Sequence, residues 1–125
     1  MDGVGHLVPQ RRDVAQASHA ARCRRLVYLY EDIAAQSRTM RHSALAGDWD
    51  DVAALRRDCI RLMTRIRELA PRCRLDAQQA RRRLEMLREI LADDAEIRAL
   101  HEPRLRWVDQ LLHASSSPQV SSDPE

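Results

Sequence analysis

The chain has 125 residues, 44% hydrophobic, 32% charged and only 3% aromatic, with no Phe. That length and balance suit one globular or helical-bundle domain, while the scarcity of aromatics and of turn residues (three Gly, five Pro) nearly excludes a β-sandwich or barrel. No apolar run approaches the ~20 residues that cross a bilayer, so a membrane protein is excluded. All 21 basic residues are Arg, set against 19 acids, a net charge of +2 that does not by itself imply nucleic acid. The distribution is uneven: residues 11–90 hold 18 Arg against 11 acids, and residues 91–125 hold 3 Arg against 7 acids. Cys23, Cys59 and Cys73 are odd in number and form no CxxC, which favours reduced thiols in a cytoplasm. Arg11-Arg12 suggests a twin-arginine signal, but no apolar stretch follows it.

In chain order, residues 1–11 lack periodicity and read as a disordered lead-in to a helical domain over 12–114. The first helix runs from about Arg12 to Ala46, with Leu26, Tyr30, Ile33, Ser37, Met40 and Ala44 on one stripe flanked by Val27 and Ala34. Gly47-Asp48-Trp49-Asp50-Asp51 then spells stop and start. Gly47 supplies the left-handed helix end, Asp48 the next N-cap, and Asp50 and Asp51 charge that favours the following helix dipole. The second helix extends from Trp49 to about Ala70, with Val52, Leu55, Cys59, Met63, Ile66 and Ala70 on one face, and ends at Pro71.

Asp76 and Gln79 form a capping-box pattern, so a third helix starts near Ala77. Its apolar stripe is Leu84, Leu87, Ile90, Leu91, Ile97, Leu100, Leu105, Val108, Leu111 and Leu112, reaching about Ala114. Pro103 interrupts the pattern, and an interior proline costs a helix about 3 kcal/mol. The stripe continues in nearly the same phase, which favours one long kinked helix over a short fourth helix. Residues 115–125, Ser-rich and polar, read as a disordered tail. The expected fold is an all-α antiparallel three-helix bundle.

At ~1.5 Å per residue the helices measure roughly 52, 33 and 55 Å, so the third overshoots the bundle by about 20 Å. That overshoot, about residues 99–113, carries Leu100, Leu105, Trp107, Val108, Leu111 and Leu112. Burying them is worth roughly 10 kcal/mol, which marks either a contact surface or a segment that Pro103 folds back as a cap.

Chemistry-bearing patterns are sparse. His19 and Cys23 have metal-ligand spacing but no second pair, so the cysteines read as small apolar fillers. Asp94 and His101 share the third helix's stripe; a buried polar contact with an Arg, Tyr28 or Tyr30 is the simpler reading than an acid–base pair. Arg22, Arg24, Arg25 and Arg81, Arg82, Arg83 could meet phosphates, yet Arg81–Glu85 and Glu85–Arg88 have salt-bridge spacing. Trp49 beside its cap reads as a core lid. No enzyme, cofactor or metal is expected from these residues.

The segments Tyr30-Glu31, Ile33-Ala34, Ser37 and Met40, then Ala46-Gly47-Asp48-Trp49-Asp50, and above all Ile90-Leu91-Ala92-Asp93-Asp94-Ala95-Glu96-Ile97-Arg98 with Leu100 and Pro103-Arg104-Leu105, resemble the FliT family of flagellar export chaperones. The resemblance covers about residues 26–112. It implies a cytoplasmic, non-enzymatic type III secretion chaperone. Such proteins hold the C-terminal helical part of the filament-cap protein FliD and deliver it to the export gate FlhA. Some also contact the export ATPase machinery, or bind FlhC of the FlhDC activator and so repress flagellar transcription.

Leu100, Leu105, Trp107, Val108, Leu111 and Leu112 are the expected partner-binding residues, with Tyr30, Ile33 and Met40 lining the deeper end, the last three equally readable as core. Some family members carry a further helix that restrains the site; here the residues from Ser115 onward are too short and polar for that. Two other readings remain: a helical adaptor that self-associates as a homodimer through the overhang, and an Arg-rich nucleic-acid binder.

Overall fold

The computed structural model describes residues 10–101, Val108 and residues 111–115. It contains α1 (Arg11–Leu45), α2 (Trp49–Leu69) and α3 (Ala77–His101), with a 3-10 turn, Ala70–Arg72, after α2. Among the described residues there is no strand, and helical backbone recurs at Val108 and 111–115. The helices run up, down and up, giving the expected all-α bundle. Leu105, Trp107 and the Pro103 kink lie outside the described residues.

Local signals set the boundaries. Gly47 sits at φ 79°, the left-handed position that ends α1. Asp48 accepts the Asp51 backbone N–H at 3.1 Å as the N-cap of α2. Pro71 falls within the 3-10 turn that closes α2. At the start of α3 the capping box is complete: Gln79 N–H donates to Asp76 Oδ1 at 2.8 Å, and Asp76 N–H donates to Gln79 Oε1 at 3.1 Å.

α1 is the spine, packed along both α2 and α3, whereas among the described residues no α2 Cα lies within 8 Å of an α3 Cα. The core gathers Ile33, Met40, Ala44, Val52, Cys59 and Ile97, with Trp49, Leu55, Leu62, Ile66 and Ile90 packed against it. Leu26, Met86 and Ile97 are fully buried. The expected α1 stripe is largely the core face; Tyr30 and Val27 are half-buried, and Cys23 and Leu29 join the buried set. On α2, Val52 and Cys59 are buried, but Met63 faces solvent while Leu62 turns inward.

The α3 stripe is corrected. Leu84, Leu87, Leu91 and Leu100 are exposed, and the line against α1 is Met86, Ile90, Asp93 and Ile97. The reason is a polar anchor. Asp93 Oδ2 accepts the Ser37 hydroxyl at 2.6 Å, and Oδ1 lies 3.1 Å from Arg41 Nε, which also reaches Glu96 at 3.5 Å. A satisfied carboxylate can occupy the interior, so α3 turns Asp93 toward α1 and its leucines aside. The buried polar contact is therefore made by Asp93. Asp94 instead pairs with Arg98 on the surface, and Tyr28 is exposed.

Candidate functional site

The leucines displaced from the core form a row of their own. At about 100° per residue, Leu84, Leu87 and Leu91 lie roughly 60–120° round α3 from the line through Ile90 and Ile97. On α2, Trp49, Ile60 and Met63 hold the corresponding flank. Trp49 stands about three turns above Ile60 and His101 about four turns above Leu87, so each reports where its flank points. Their rings meet, with centroids 4.7 Å apart and planes at 49°. The two flanks therefore face one another across the opening between α2 and α3, with α1 as the floor.

Along this seam Ile60 is 55% exposed, Met63 41%, Leu84 47% and Leu91 66%. Large side chains at these exposures, gathered on the flanks of two helices that share α1 as their floor, are what a soluble monomer ordinarily avoids. The seam was missed in the sequence because its leucines shared a period with the core. Only the Ser37–Asp93–Arg41 anchor reveals that they are rotated off it.

The expected partner-binding residues divide. Leu100, Leu111 and Leu112 are exposed, continuing the apolar character toward the C-terminus, and Val108 is half-buried. Tyr30 is half-buried on α1. Ile33 and Met40 are buried members of the core, with no surface to offer a partner. Trp49 packs against the core as a lid over the top of the seam.

The remaining patterns also resolve. Arg24, Arg25, Arg81 and Arg82 are exposed, and Glu85 pairs with Arg82 at 3.6 Å instead of with Arg81 or Arg88. Cys59 is buried; desolvation, then the neighbouring Asp58 carboxylate, push its thiol above the ordinary range, against the pull of Arg56. Among the described residues no three His, Cys, Asp or Glu side chains gather as a metal-ligand set. No helix there is long and apolar enough to cross a membrane.

Comparison with known proteins agrees with this geometry. The family described as "Flagellar protein FliT" matches residues 28–123. The crystal structure of flagellar protein FliT from Bordetella bronchiseptica superposes with a TM-score of 0.61 at 32% identity, covering 69% of this chain and 97% of that one. None of the curated proteins matches. A match spanning most of the chain, on a bundle of the same architecture, places this protein in the FliT family of flagellar chaperones.

Proposed function

We propose that this chain is a cytoplasmic chaperone of flagellar type III export. In this reading it holds the C-terminal helical segment of the filament-cap protein FliD, prevents premature assembly and passes the client to the export gate FlhA. The observation that carries the reading is the exposed apolar row Leu84, Leu87 and Leu91 facing Ile60 and Met63. An amphipathic client helix laid in that seam would bury its i, i+3/i+4, i+7 anchors against both walls. Leu100, Leu111 and Leu112 are further exposed apolar side chains toward the C-terminus, with Leu105, Trp107 and Val108 between them in sequence. Contact with the export ATPase machinery, and repression of flagellar transcription through FlhC, rest on family membership alone.

Calorimetric titration with the C-terminal segment of the same organism's cap protein tests this. Binding at micromolar or tighter affinity with a negative heat-capacity change, weakened at least tenfold by Leu87→Glu with Leu91→Glu, is the expected result. Full affinity in that double variant would remove the seam as the client site. Light scattering addresses self-association on the same row: a stable dimer that takes up no client would favour the adaptor reading.

A further inference from the structure

The base of the bundle holds a second arrangement that client binding does not use. Cys23, on α1, is buried, and Cys73 is half-buried in the connection between α2 and α3. The connection is held against α1 by contacts on both sides of Cys73. Arg22 Nε donates to the Arg72 carbonyl at 3.2 Å, and the Arg74 backbone N–H donates to His19 Nε2 at 2.9 Å. The Cys23 thiol donates to the Arg74 carbonyl at 3.5 Å and lies 3.7–3.8 Å from the His19 ring nitrogens.

Held this way, Cys73 adjoins the residue whose carbonyl the Cys23 thiol contacts, though the two cysteines are fifty positions apart in sequence, and burial, then the nearby Cys23, push the Cys73 thiol above its ordinary range. Two open clefts, of about 440 and 470 Å³, each adjoin one of the cysteines. One is lined by His19, Cys73 and Arg74, the other by His19, Cys23 and Arg74. The third cysteine, Cys59, contacts Gln36 of α1 and takes no part.

We propose that Cys23 and Cys73 are a peroxide-oxidisable pair whose disulfide staples the α2–α3 connection to α1. The thiolate of one cysteine attacks a peroxide oxygen, the O–O bond breaks, and the departing hydroxide takes a proton to leave as water. The resulting sulfenic acid is attacked by the second thiolate. The S–S bond forms as the sulfenic oxygen leaves with a proton as a second water. Two thiols and one hydrogen peroxide thus become one disulfide and two waters. The bridge closes a loop of roughly fifty residues, which restricts the unfolded chain and stabilises the folded one.

The test uses the full reduced chain treated with hydrogen peroxide, quenched by alkylation and mapped by non-reducing peptide mass spectrometry. The expected product is an intramolecular Cys23–Cys73 crosslink about two mass units lighter than the dithiol, with Cys59 still alkylated and the melting temperature raised by several degrees. Cys59→Ser should retain the crosslink and the shift. Cys73→Ala, at a half-exposed position, should lose both while its reduced form keeps its helical circular dichroism. Crosslinks through Cys59, intermolecular disulfides alone, over-oxidised thiols without a bridge, or three thiols left unreacted would each overturn the proposal.

Discussion

Replacing Asp93 by Ala tests the contact that sets how α3 faces α1. Asp93 is 9% exposed and accepts the Ser37 hydroxyl at 2.6 Å, a bond to a charged acceptor worth about 1.5–3 kcal/mol. Its pairing with Arg41 adds less than about 1 kcal/mol, because the Arg41 side chain is 28% exposed and keeps Glu96 as an alternative partner. The variant should therefore lose about 2–3 kcal/mol, a large share of the ~5–15 kcal/mol that holds a typical domain. Urea unfolding followed by circular dichroism measures it, with Ser37→Ala and the double variant completing a cycle. The expected coupling between Ser37 and Asp93 is about 1–2 kcal/mol. Coupling below about 0.3 kcal/mol would mean that the anchor does not hold α3's rotation, and the explanation for the exposed leucine row would fall with it.

Two further expectations concern stability. Gly47→Ala should cost about 1–2 kcal/mol in the same assay, because Gly47 has φ 79° and the penalty is backbone strain alone; nothing lies within 4 Å of the added Cβ. Gly47→Asn should recover part of that loss. Met86→Ala should cost about 2–5 kcal/mol at a fully buried site, whereas Leu91→Ala, 66% exposed, should stay within about 0.5 kcal/mol. Equal losses would show that α3 presents a different face to α1.

Much of the architecture was legible because its causes are local. Asp48 and Asp76 cap helices through residues three positions away, Gly47 ends a helix by its own dihedral freedom, and Pro71 marks the 3-10 turn after another, although Ala70 before it stays helical at φ −55° and ψ −42°. These signals placed all three helices, and the 3.6-residue period on α1 identified most of the core face. The motif centred on Ile90–Arg98 carried the family resemblance that the comparisons established.

What the residues could not announce was rotation and spacing. Hydrophobic periodicity marks apolar faces but does not say which neighbour each will meet, and α3 carries two adjacent ones. The bond between Ser37 and Asp93, 56 positions apart, selects the Met86–Ile97 line for α1 and leaves Leu84, Leu87 and Leu91 on the seam. Tyr30, Ile33 and Met40 share one stripe, yet burial by α2 and α3 takes Ile33 and Met40 wholly into the core. Cys23 and Cys73 looked unrelated until the turn after α2 folded back onto α1. In each case a local pattern states what a segment can bury, and long-range packing decides against what.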